Sequence, residues 1–165
     1  YKLGNHEERW EHYLYQKAGE FVALLEEGSN ITGLDKFLHL DRFGVIPIQG
    51  RQKMALGKLK VVHGHEFGRS VFSPVNPARG LFNRAKYSAV IGHHHQSSSH
   101  SEGTLDGSQI VCYSIGCLCH LSPDYMPFGE LKWNHGFAIV DVNQESGEFD
   151  FSNYKILKSG KVTHA

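Results

Sequence analysis

The chain has 165 residues, of which 40% are apolar and 21% charged, with 18 Gly, 5 Pro and 3 Cys; this is one domain's worth of chain with enough apolar surface for a core. Its 17 basic and 17 acidic residues cancel, which argues against a bulk electrostatic pull toward nucleic acid or a membrane surface. No apolar run approaches a membrane span, the first residues lack the charged-then-apolar layout of a signal peptide, and three cysteines crowded between Cys112 and Cys119 make no disulfide framework, so a cytoplasmic protein is expected.

In chain order, Trp10, Tyr13, Leu14, Ala18, Phe21, Val22 and Leu25 recur at helical spacing, with Glu8, Arg9, Glu11, Gln16 and Lys17 largely opposite them. The spacing predicts an amphipathic helix packed on a core, stopped by Gly28, Ser29 and Asn30. Leu34 to Asp41 reads as a second, short helix with Gly44 in the C-cap role. Val45 to Gln49 and Leu59 to Val62 are short β-rich runs, expected as neighbouring strands. Asn76 and Pro77 suit the cap and first position of a helix through Ala85. Tyr87 to Ile91 is a buried strand that runs straight into Gly92-His93-His94-His95. Gln96 to Ser108, rich in Ser and Gly, reads as a surface loop, and Ile110 to Leu118 as another apolar run. Phe137 to Val142 and Phe149 to Ile156, joined by Asn143 to Gly147, predict an antiparallel hairpin. The fold class is therefore α/β passing into antiparallel sheet, a layered β-sandwich flanked by helices, within a single domain over residues 1–165.

Twelve histidines are the compositional excess. They concentrate in Gly4-Asn5-His6-Glu7, His63-Gly64-His65, Gly92-His93-His94-His95 and Asn134-His135-Gly136. His63 and His93 follow apolar strands, at the carboxyl ends where ligands collect in α/β sheets. A neutral imidazole is the commonest metal-ligating side chain, and the neighbouring glycines let the backbone turn sharply.

The order Gly-Asn-His-Glu, then a strand with His-Gly, then a strand with Gly-His-x-His, resembles the calcineurin-like metallophosphoesterase superfamily, in particular its compact phosphatase and nuclease-like members from bacteria and phages. The motifs span residues 4–95, and the later strands suit that fold's second sheet. The resemblance implies a two-metal centre of Mn, Fe, Zn or Ni. The amide oxygen of Asn5, with His63 and His93, would ligate one ion and His95 the other. His6, oriented by Glu7, would contact the phosphoryl oxygens and assist the leaving group of a phosphomonoester, a phosphodiester or a nucleic acid. The family's Asp-x-His and Gly-Asp-x-x-Asp motifs, which supply the bridging carboxylate, precede the Asn-His motif. Only Tyr1, Lys2 and Leu3 stand upstream of it, and Tyr1 is not a Met. The expectation is the C-terminal portion of a longer enzyme lacking strand-helix units of about 60 residues. Its alternatives are a non-catalytic remnant that binds a metal or a partner, and one half of a split enzyme completed by a second chain or an oligomer.

Cys112, Cys117, Cys119 and His120 invite a zinc reading, but Cys112 has the opposite strand parity to the other two and core packing is favoured. No Gly-x-Ser-x-Gly elbow supports a serine hydrolase. Arg69, Arg79 and Arg84 are candidates for phosphate contact, against ordinary surface charge. Tyr125, Trp133, Asn134 and His135 are candidates to shape a pocket, although Trp133 and Phe137 are read more simply as packing between sheets.

Overall fold

The computed structural model describes residues 1–26, 33–48, 52–67, 75–125 and 131–165. They form two compact units, Tyr1–Gln52 and Lys53–Ala165, each taken by itself. No helix among the described residues is long and apolar enough to cross a membrane.

The first unit is helical. In α1 (Asn5–Lys17) the N-terminus is closed by Glu7, whose Oε2 accepts the N–H of the buried Gly4 at 2.7 Å, the carboxylate half of a capping box. The helix ends at Ala18, with φ −139° and ψ 33°, before α2 (Gly19–Glu26) resumes. The single helix expected from the periodicity is thus two, broken beside Gly19, whose helix propensity is poor. Nor does α1 pack into a core: none of its residues is buried, Trp10 leans on Phe37 at 5.4 Å between ring centroids, and the buried apolar residues among those described in this unit are Leu3 and Val22. The expected stop at Gly28, Ser29 and Asn30 lies outside the described residues.

The helix read over Leu34 to Asp41 is α3 (Leu34–Phe37) followed by a 3₁₀ turn (Leu40–Phe43), separated by His39 in the left-handed region. Gly44 closes the turn at φ 65°, as expected. Of the predicted strand over Val45 to Gln49 only Ile48 pairs, in one parallel bridge with Lys2. Pro47 has no N–H to give a ladder, and Gln49 is not among the described residues.

The second unit carries two sheets. β1 (Met54–Leu56) and β2 (Leu59–Val61) form a hairpin, and the five-stranded sheet runs β1-β2-β3-β5-β4, with β3 (Ala89–Ile91) parallel to β2 and to β5 (Gln109–Ser114). The strand beside β2 is therefore β1 and not the Val45 run. Between β2 and β3 lies α4 (Pro77–Ala85), the helical crossover that a parallel pair needs. Its start is the one read from sequence: Asn76 Oδ1 accepts the Arg79 N–H at 3.0 Å and Pro77 takes the first position. Ala78 and Leu81 of α4 close on Val62, Ala89, Ile91 and Cys112, all buried, to form the core.

β4 (Ser98–Gly103) corrects the loop expected over Gln96 to Ser108. It pairs antiparallel with β5 at every residue from Ser98 opposite Ser114 to Gly103 opposite Gln109, and only 104–108 turn. An edge strand of small polar residues carries no apolar alternation, so its pairing partner defines it. Ser98 Oγ also accepts the Ala78 N–H, at 3.1 Å.

The three-stranded antiparallel sheet is β6 (Gly136–Val142), β7 (Phe149–Ile156) and β8 (Val162–His164). Its first two strands are the predicted hairpin. The sheets meet where Tyr113 stacks on Phe151 at 3.9 Å and where the Asn153 amide donates to the Ser114 carbonyl at 3.0 Å. The architecture observed is mixed α/β, with a five-stranded mixed sheet, a three-stranded sheet and helices.

Candidate metal centre

β2 and β3 are neighbouring parallel strands with Val61 opposite Val90. Each is followed two residues later by a histidine, so His63 and His93 arrive together, with ring centroids 5.0 Å apart. The His63 carbonyl accepts N–H bonds from Gly92 (3.2 Å) and His93 (3.0 Å), locking the two strand ends. Gly64 then reverses the chain at φ +116°, and a Cβ on it would lie 3.0 Å from His93 Cβ; only glycine suits both demands. The reversal brings His65 back over His63, with the two Nδ1 atoms 2.9 Å apart. Nitrogens at that distance share one proton or face one cation.

Glu66 completes this group. Its Oε1 accepts the His63 N–H (3.2 Å), and its Oε2 accepts the Gly64 N–H (2.6 Å) and stands 3.6 Å from His65 Nδ1. Burial pushes its pKa up, but the backbone N–H groups of Glu66, Gly64 and His63, with the His65 ring, outweigh that and hold it below the usual carboxylate value. His93 is also shifted down from an ordinary histidine. Burial, then the neighbouring rings of His63, His94, His65 and His95, lower it to about 4. Burial lowers His94 as well. At neutral pH His93 is an uncharged imidazole with a lone pair to give. The potential ligand atoms of His63, His65 and Glu66 all lie within 4.8 Å of one another.

No family model, curated protein or solved structure matches the chain. The chemistry of the site therefore rests on its own donor set, which is imidazole and carboxylate and fits a borderline divalent cation.

His95 is grouped differently from His63 and His93. It ends the Gly92–His95 turn at φ 55°, and its Nδ1 lies 3.7 Å from Cys119 Sγ. Cys117 belongs to the same group, and its half-buried thiol is pushed up to about 11, chiefly by burial. Cys112 does not. Fully buried in the core beside the Tyr87 carbonyl, it is raised to about 11 by burial, as its strand parity suggested. His120 turns to the Ser122 carbonyl.

Asn5, His6 and Glu7 lie in the first turn of α1, in the first unit, so the histidine cluster is assembled from second-unit residues alone. Both Glu7 oxygens are engaged, with Gly4 N–H and with the Tyr1 hydroxyl at 2.6 Å, which raises Tyr1 to about 12. Asn5 Oδ1, the oxygen that the resemblance makes a ligand, is buried and has no hydrogen-bond partner among the described residues.

Of the pocket candidates, Asn134 is a brace: its Oδ1 accepts the Ser97 N–H (2.8 Å), and its amide donates to Ser97 Oγ (2.9 Å) and the His135 carbonyl (3.0 Å). Trp133 packs on His95 at 4.3 Å, and Tyr125 is exposed. Arg84 joins Lys53, Lys60 and Tyr87 around a cavity of about 300 Å³ that also reaches Val62 and Phe67, the residues flanking the His63–Glu66 turn. Arg79 is exposed on α4, and Arg69 lies outside the described residues. Sequence reasoning missed His65 and Glu66 as partners of His63. The signal available was the glycine between two histidines, followed at once by a carboxylate.

Proposed function

We propose that this chain takes part in metal-dependent hydrolysis of phosphoesters, with a fold of the layered, metallophosphoesterase-like kind. The observation that carries the proposal is the grouping of His63, His65 and Glu66, with His93 brought beside His63 by the neighbouring parallel strand.

His63, His65 and Glu66 would hold one divalent ion, with the neutral ring of His93 beside His63. Divalent ions bound in such a site lower the pKa of a coordinated water and neutralise phosphoryl charge. Glu66 holds the His63–Gly64 backbone in place through two N–H bonds, which fixes the direction of both rings. Lys53, Lys60 and Arg84 supply cations to a phosphate-bearing substrate in the adjoining cavity, and Tyr87 an apolar wall.

The test is hydrolysis of a chromogenic phosphodiester and a phosphomonoester by metal-stripped protein, before and after addition of manganese. Activity should appear with the metal, and His93→Ala should reduce it more than the 10–100-fold typical of losing a group behind a metal ligand. Metal binding without turnover of either ester would support the non-catalytic remnant and contradict the proposal.

A further inference from the structure

His95, Cys117 and Cys119 come from two separate stretches of chain, and their potential ligand atoms lie within 4.8 Å of one another. In a tetrahedral zinc site with Zn–S of about 2.3 Å and Zn–N of about 2.05 Å, a sulfur and a nitrogen ligand sit about 3.6 Å apart. The separation of Cys119 Sγ from His95 Nδ1 is 3.7 Å. Cys117 sits at a single bridge with His135, and the chain bends at Leu118 and Cys119, which brings the Cys119 carbonyl within 4.0 Å of Cys117 Sγ.

The scaffold around them is fixed at several points. The Asn134 backbone joins both stretches, its N–H donating to the His95 carbonyl (2.9 Å) and its carbonyl accepting the Cys117 N–H (3.0 Å). His135 Nε2 contacts the Cys119 carbonyl at 2.9 Å, and Gly116 passes so close to Asn134 that a Cβ would come within 2.6 Å of its carbonyl oxygen. His95 is held at φ 55°, where a residue with a Cβ stays only if its surroundings impose it.

We propose that His95, Cys117 and Cys119 form a thiolate-containing zinc site separate from the His63–Glu66 cluster. Two sulfurs and an imidazole select zinc over the harder manganese or magnesium. Three protein ligands leave the fourth position to water or an incoming ligand, the layout of open rather than closed zinc sites. The proposal is independent of phosphoester hydrolysis, since cation binding is read without turnover.

The test uses the full chain, stripped of metal under reducing conditions and titrated with cobalt(II), whose thiolate complexes absorb in the near ultraviolet. The charge-transfer band should appear in the parent protein and be displaced by zinc. Cys119→Ser should abolish it, and His63→Ala should leave it in place. Cys119 is exposed, so its serine variant tests ligation and not folding. Absence of the band from the parent protein, its survival in both Cys117→Ser and Cys119→Ser, or its loss in His63→Ala would overturn the assignment.

Discussion

Replacing Gly64 by alanine would put a Cβ 3.0 Å from His93 Cβ and 3.3 Å from the Ile91 side chain, at φ +116°. Strain of that kind costs on the order of 1–3 kcal/mol, so Gly64→Ala should lower the urea midpoint and weaken metal binding together. An unchanged midpoint would show that the turn tolerates a side chain. His93 supplies a pH signature. Its pKa is 6.5 in an unfolded chain and about 4 in the fold, so below pH 6.5 the unfolded state binds the additional proton. Metal-free protein should keep its full stability above about pH 6.5 and lose stability as the pH falls toward 4. Denaturant titrations at pH 7 and pH 5 in chelator should show that loss, and His93→Gln should flatten it. His63 and His93 are legible in the sequence because each ends an apolar, β-prone run. Their partnership with His65 and Glu66 is not, because it depends on the backbone angle at one glycine.

Among the elements, the two asparagine-held junctions make a ranked pair. Asn76→Ala removes one helix cap, at a cost of about 1 kcal/mol. Asn134→Ala removes two side-chain hydrogen bonds to Ser97 and a local one to the His135 carbonyl, at about 1 kcal/mol each. Thermal unfolding should therefore place Asn134→Ala below Asn76→Ala, and the reverse order would mean that the brace is not structural. The α4 cap, β3, β7 and the β6–β7 hairpin are legible because cap chemistry and apolar runs are local signals. β4 is not, since Ser98–Gly103 acquires strand character only from β5. Nor is the break between α1 and α2, where periodicity continues across Ala18 but the hydrogen-bonded backbone does not. Periodicity also marks a helix face without saying what covers it, which is why α1 reads as core-facing and holds no buried residue.

At the scale of the molecule, metal should stabilise the chain by mass action, because a cation held by His63, His65, His93 and Glu66 needs the folded arrangement of β2 and β3. At a free metal concentration 100 times the dissociation constant the gain is about 2.7 kcal/mol, visible as a rise in Tm. His63→Ala should abolish the rise at the histidine cluster, whereas an equal rise in that variant would place the stabilising ion elsewhere. The α/β class and the arrival of His63 and His93 at neighbouring strand ends could be read from the sequence. The division into two compact units and the sorting of histidines into an imidazole–carboxylate cluster and an imidazole–thiolate cluster could not, because both depend on contacts between distant segments. The most direct measurement is anomalous X-ray diffraction from crystals of the whole chain grown with manganese. We expect a peak within ligand distance of nitrogens of both His63 and His93. A crystal with manganese bound only at other positions, or with these histidines turned apart and no peak between them, would contradict the metal centre proposed for this protein.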